Sequence, residues 1–414
     1  MAAKATLLSL ILPAAVAFGC NPLPNSHTQL TNQTASLPSD TSINGTIPIN
    51  STLPNGTFPE DNTPWVPTCK LPRNDFAWQS VGHGFMSNCV SSKGTIQGYM
   101  IFVDFSDAEA MEGETPKDNY DFLVPDANKW FQETSFNQLR LNITADTSKF
   151  YRMPHSAESY NWDAGLNNQQ HYDYIEDALD AYMNNSENSA PARTDILYIV
   201  PTRNAAWFSR SLASSFAVFT RDNQLLSTMR LVTLCVYPIF TPLILTFLLA
   251  NSPGWSLMGN VGGIAPDYFA WDKWRLGWLL DEDIDCILEH GTTRHTLTPV
   301  ENAGGTKAVV VAVNKTSALV AEARVAKGAD SKICAPGVLL YTIDTTLATG
   351  LGPIRVLDAT PGSDSCGSEV SGWEPLNDAT LSMNGTKSYE VAGWGIKVTL
   401  VGAKDDEYKI EVEY

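Results

Sequence analysis

Twenty consecutive residues without a charge, Leu231–Ala250 (LVTLCVYPIFTPLILTFLLA), stand at the middle of a chain of 414 residues. No other feature restricts the fold as sharply, because an uncharged run of this length matches the thickness of a bilayer. A membrane helix is one reading. Against it, Pro238 and Pro242 interrupt the run, and proline removes a backbone donor and breaks a helix interior. A span here would also split a globular domain in two. Burial of the run as an ordinary structural segment is a second reading, and a slip of reading frame, developed below, is a third.

The surroundings read as an exported protein. Met1–Lys4 is a short basic start, Leu7–Val16 is an apolar core, and Ala15-Val16-Ala17 forms an A-x-A cleavage signal. The apolar part is too short for a span and fits a secretory signal peptide over residues 1–19. Eight N-x-[ST] sequons follow, at Asn32, Asn44, Asn50, Asn55, Asn142, Asn184, Asn314 and Asn384, as in a glycosylated secreted protein. Seven cysteines fit disulfides in an oxidising compartment. Cys69 and Cys89 are near enough in sequence for a local pair, Cys235 sits inside the apolar run, and spacing alone leaves the other pairings open. Forty-five acidic against 27 basic side chains give a net charge of −18, which repels a phosphate backbone and excludes nucleic acid as a partner.

Residues 20–67 are dense in Asn, Thr, Ser and Pro, too polar to order by burial, and read as a glycosylated linker or pro-segment. From Gly98 the pattern changes. GYMIFVDFSD and TDILYIVPT are continuous apolar runs of the kind found in buried strands. PDANKWFQETSF opens with Pro125 and Asp126, as a helix start does. HYDYIEDALDAYMNN places Ile175, Leu179, Tyr182 and Met183 on one helical face. Strand, helix, helix, strand describes an α/β layer. After about Glu289 the period becomes two: TKAVVVAVNKTSALVAEARV, GVLLYTID, GPIRVLDA, SYEVAGWGIKVTLVGA and EYKIEVEY are short strands separated by Gly, Asn and Asp. They predict a β-sandwich over residues 291–414, either a structural appendage or a ligand-binding module. Trp373 and Trp394 offer sugar platforms there, although such residues are more often core.

Several phrases, in order, resemble the immune inhibitor A-type secreted metallopeptidases (peptidase family M-six) in the version common in filamentous fungi. They are GYMIFVDFSD, TSFNQLRLNITADTSKFYRMP, TDILYIVPT, GWSLMGN, APDYFAWDKWRLGWLLDEDIDC and GVLLYTIDTTLATGLGPIRVLDATPG. The resemblance implies an α+β chain: a zincin-like α/β metallopeptidase domain over residues 68–290, then the β-sandwich. It also implies zinc as cofactor, and protein or peptide substrates. Trp271, Trp274 and Trp278, at i, i+3 and i+7, predict one packed helical face, scaffold rather than catalyst. In related zinc peptidases a Met turn lies beneath the metal, and the resemblance gives that place to Met258; a plain core methionine is the other reading.

The family's chemistry needs H-E-x-x-H on a helix, because imidazoles four residues apart share a face and reach one Zn²⁺ at about 2.0–2.1 Å, while the Glu takes a proton from the metal-bound water. A further Asp ligand follows in a Leu-Pro-Asp phrase. The motif belongs between TDILYIVPT and GWSLMGN, where the apolar run stands instead. The six histidines are His27, His83, His155, His171, His290 and His295, and none is four residues from another. His155 and His171 flank a polar loop; His290 and His295 read as exposed loop residues. The chain as it stands therefore has neither catalytic nor metal-ligating residues to assign.

The genetic code supplies a reason. When Thr228–Phe240 (TMRLVTLCVYPIF) is back-translated and its bases are regrouped one earlier, the codons permit HETGHTMCLPDLY, a zinc motif with its trailing Leu-Pro-Asp. The Glu is forced once Arg230 is coded AGR. One position departs from the family: where Gly is usual, only Cys or Arg is allowed. The segment 222–253 is therefore expected to be a frame-slipped or mis-spliced stretch. On this reading the gene encodes a secreted zinc endopeptidase and this version of it is inactive. The alternative is a non-catalytic binding or membrane-anchored glycoprotein with Leu231–Ala250 as its transmembrane helix.

Overall fold

The computed structural model describes residues 68–74, 80–83, 91–160, 168–184, 194–207, 218–219, 225–227, 254–257, 266–348, 351–363, 366 and 376–414. Helices and strands both contribute, in an α+β arrangement. The signal peptide, the linker and the apolar run lie outside the described residues. No helix among the described residues is long and apolar enough to cross a membrane.

The N-terminal part is a parallel sheet. Its central strand, β1 (Gly94–Asp104), pairs in parallel with β2 (Leu139–Ala145) and β3 (Tyr151–Arg152) along one edge and with β4 (Ile196–Pro201) along the other. Met100–Val103 are fully buried, as a strand covered on both faces requires. Parallel neighbours need long crossovers, and two helices supply them. Helix α1 (Pro116–Thr134) lies between β1 and β2; α2 (Asn168–Met183) lies between β3 and β4. Short strands β5 (Val218–Phe219) and β6 (Leu225–Ser227) pair with each other.

Helix α1 begins nine residues before the start expected at Pro125. Thr115 caps it by accepting from the Asp118 N–H at 3.1 Å, and Pro116 occupies the first turn, where no N–H is needed. Pro125 sits inside the helix on its exposed side, where water can reach the carbonyl it leaves free. Asn119, Leu123, Val124, Ala127, Trp130, Phe131 and Thr134 form the buried stripe, at helical spacing. On α2 the expected face is present: Ile175, Leu179 and Tyr182 are buried and Met183 packs against the same core.

The C-terminal part contains two sheets. One has the order β12 (Ile354–Val356), β11 (Gly337–Asp344), β10 (Ser317–Arg324), β9 (Ala308–Ala312), β7 (Ile284–Ile287), the last joined in parallel. Its first strand in the chain thus precedes residue 290. The other has the order β13 (Ser388–Val391), β14 (Ile396–Lys404), β15 (Glu407–Glu413), β8 (Thr292–Leu297). Alternation divides the five-stranded sheet between two cores. Val310, Val320, Leu339 and Tyr341 face the tryptophan block, while Val309, Val311, Leu319 and Leu340 share a cluster with Val398, Leu400, Ile410 and Val412 of the four-stranded sheet. Trp394 is half-buried against that second cluster.

The tryptophans do not share one helical face. Helix α3 (Ala270–Arg275) stops after six residues, and Gly277, at φ +74°, turns the chain. The Trp278 N–H donates to the Lys273 carbonyl at 2.9 Å and the Gly277 N–H to that of Trp274 at 3.0 Å, a Schellman ending. Trp271 and Trp274 stay with the five-stranded sheet, whereas Trp278 crosses into the core of the parallel sheet. Each indole N–H finds an acceptor: Val81 O, Asp281 Oδ1 and Ser92 O. The block thereby pins residues 80–83 and 92 to both cores.

Cys69 bonds Cys286, 217 residues on, and not Cys89. The reason is that residues 68–74 and 80–83 lie along the tryptophan block beside β7, held by a Lys70–Asp281 ion pair of 2.6 Å and by Arg275 donating to the Ser80 carbonyl. A second bridge joins Cys334 and Cys366.

Candidate functional site

In open parallel sheets ligands settle beyond the carboxyl ends of the strands, where the chain turns away to either side. Here that end carries many charges. Arg152, at the end of β3, forks onto Asp104, at the end of β1, through Nε at 2.8 Å and Nη2 at 3.0 Å, and also reaches Glu109 at 2.8 Å. Asp107 accepts the Ala157 and Glu158 N–H groups; partial burial pushes its carboxyl up, but these donors prevail and hold it below its usual value. Beyond β4, the Thr202 hydroxyl donates to the Ala108 carbonyl and the Arg203 N–H to Glu114. These contacts fix the loops of β1, β3 and β4 against one another. Residues 208–217 and 228–250, the stretch in which the sequence reading expects a metal helix, lie outside the described residues.

Beside this end lies a groove of about 750 Å³. Phe150, Arg152 and His155 line one side, and Asp177, Asp180 and Asn184 on or next to α2 line the other. Asp177 accepts from the Tyr160 hydroxyl at 2.7 Å and lies 3.9 Å from His155 Nε2. Both signs of charge and the rings of Phe150 and Tyr151 face the same space. Such a lining suits a ligand that both donates and accepts hydrogen bonds.

A third polar cluster is wholly internal. Arg324 of β10 contacts Asp330 at 2.6 Å, Glu322 at 2.9 Å and Glu301 at 3.4 Å, while Lys273 meets Asp267 at 2.5 Å. Glu322 also accepts from the Ala270 N–H and the Tyr341 hydroxyl. These groups join the tryptophan helix to the five-stranded sheet. Burial pushes Glu301 up, helped by the neighbouring Asp330. Asp272 is raised to about 7, again by burial. Charges paired so deeply specify packing rather than reach substrate. A signal was present in the spacing: Glu322 and Arg324 stand two apart, on one face of a mostly apolar strand.

His83, His155, His290 and His295 do not come together. His83 stands edge-on to Trp271 and Trp274, at ring separations of 5.1 and 4.7 Å, and burial, then Arg275 and Lys70, lowers its pKa to about 2. His155 is exposed near Asp177. His290 is exposed and lies against the Tyr414 ring. His295 is not in a loop: it sits in β8, half-buried, held by Asp285 at 2.7 Å and Thr293 at 2.8 Å. No three His, Cys, Asp or Glu side chains converge as metal ligands among the described residues. His171 belongs to α2, and His27 and Met258 lie outside the described residues.

Of the sequons, Asn32, Asn44, Asn50 and Asn55 lie outside the described residues, and Asn142, Asn184, Asn314 and Asn384 are all exposed. Trp373 and Cys89 also lie outside them. No protein-family model and no curated protein matches the chain.

Proposed function

We propose that the chain is a secreted glycoprotein built on the scaffold of a zinc endopeptidase, with neither zinc nor peptidase activity as its sequence stands. The domains are a zincin-like α/β domain and a β-sandwich. One observation carries the loss of activity: no two of the six histidines are four residues apart. His83, His155, His290 and His295 moreover lie on separate elements, each with its own packing or polar partner. The family reading rests on the ordered phrases and on the parallel strand–helix order of the first part. Export is supported by the signal-like start, four exposed sequons and two disulfides.

The test compares two secreted proteins: the chain itself, and a version carrying HETGHTMCLPDLY in place of Thr228–Phe240. Metal analysis of the first is expected to find no stoichiometric zinc, and casein to remain uncut. The restored version is expected to hold one zinc and to cleave casein. A tightly held zinc in the chain itself would overturn the reading.

A further inference from the structure

We infer that the groove beside α2 is the seat of the protein's own N-linked sugar, attached at Asn184. The inference rests on the proposed passage through the secretory route. Asp177, Asp180, Ala181 and Asn184 all line the groove and follow one another at i, i+3, i+4 and i+7, so they share one helical face. The Asn184 N–H donates to the Asp180 carbonyl at 2.8 Å, which keeps the residue on the helical path just past Met183. On such a path the Cα–Cβ bond tilts toward the helix N-terminus. The exposed Asn184 side chain therefore leans back over Ala181 and Asp180, and a sugar joined to its nitrogen enters the groove.

The lining fits that occupant. Sugar hydroxyls donate and accept, and the groove offers carboxylates from α2 opposite the guanidinium of Arg152. Opposite charges on facing walls disfavour a strongly charged ligand of either sign. Phe150, half-buried, presents an apolar ring to the C–H face of a pyranose. The volume of about 750 Å³ lies within the range of pockets that take small organic ligands. The other described sequons stand elsewhere: Asn142 on β2, Asn314 in the turn between β9 and β10, and Asn384 in the turn before β13. None of them lines this groove.

The full chain is secreted from a eukaryotic host, and its glycopeptides are mapped by mass spectrometry. Hydrogen exchange of the segment 150–154 is then compared in the chain, in Ser186→Ala, which deletes the Asn184 sequon, and in Thr386→Ala, which deletes that of Asn384. The expected result is a sugar on Asn184 and exchange about tenfold faster in Ser186→Ala, the factor given by 1.4 kcal/mol of lost local stability. Thr386→Ala is expected to leave the segment unchanged. Asp180→Ala, still glycosylated, is expected to speed exchange too, and to add nothing once Ser186→Ala is present. Equal exchange in the chain and in Ser186→Ala, with Asn184 glycosylated, overturns the docking. So does a bare Asn184 beside glycosylated Asn142, Asn314 or Asn384. A protein with no sugar at any sequon overturns the secretory reading itself.

Discussion

Replacing His83 by Phe isolates one buried titration. The ring stands edge-on to Trp271 and Trp274, and its Nε2 has no hydrogen-bond partner among the described residues, so Phe keeps the packing and sacrifices no bond there. Burial lowers the histidine from 6.5 to about 2. A base whose folded pKa lies below its unfolded one binds fewer protons when folded. Its stabilising effect is complete above pH 6.5 and is lost as pH falls toward the folded value. The loss is about 1.36 kcal/mol per pH unit, so from pH 7.5 to pH 5.0 the histidine forfeits 1.5 units, about 2 kcal/mol. This figure needs only that the folded value lie well below 5. Asp272 and Asp267, raised by burial, change stability in the opposite sense over part of the same window, but they are present in both proteins and cancel in the difference. Urea unfolding followed by tryptophan fluorescence at the two pH values is the assay. The parent is expected to lose about 2 kcal/mol more than His83→Phe between them. A difference between the two proteins that does not change with pH would refute a buried, neutral His83.

Arg324→Met leaves Asp330 and Glu322 buried without their cation, and chemical denaturation is expected to show a loss of about 3–5 kcal/mol. Removing the Cys69–Cys286 bridge by a double change to Ala frees a loop of 217 residues; calorimetry is expected to show a lowered melting temperature, corresponding to about 5 kcal/mol in the chain-entropy picture. Gly277→Ala forces a side chain onto φ +74° within 3.2 Å of Lys93 Cε, and unfolding midpoints are expected to fall by an amount equivalent to about 1–2 kcal/mol.

The strands were legible because their patterns are long and strong. AVVVA, SALVAEAR and GVLLYTID are mostly apolar runs that read as strands, although the period of two expected of them is absent, because the sheet they form is buried on both faces. Helix α2 was legible through the spacing of Ile175, Leu179 and Tyr182. The start of α1 was misread although its signal was present: Thr115, Pro116 and Asp118 are a cap, a first-turn proline and a first-turn acid, while Pro125 merely repeats that look inside the helix. The tryptophan spacing misled because periodicity ignores Gly277, which ends the helix and sends Trp278 to another core. The partner of Cys69 was out of reach, since residues 217 apart meet only through the tertiary course of the N-terminal segment. Of the candidate site, the strands β1 and β4 were legible as apolar runs, but the Arg152–Asp104 pair and the Thr202–Ala108 bond at their ends carry no sequence pattern, and the expected ligand helix falls in residues that the structure does not describe.

The nucleotide sequence of the transcript from Thr220 to Pro253 tests the central claim most directly. The account predicts that the codons for Thr228–Phe240, read one base earlier, spell His-Glu-x-x-His followed by Leu-Pro-Asp. Codons whose neighbouring phase gives no such histidine pair would contradict it, and Leu231–Ala250 would then stand as a segment the gene intends.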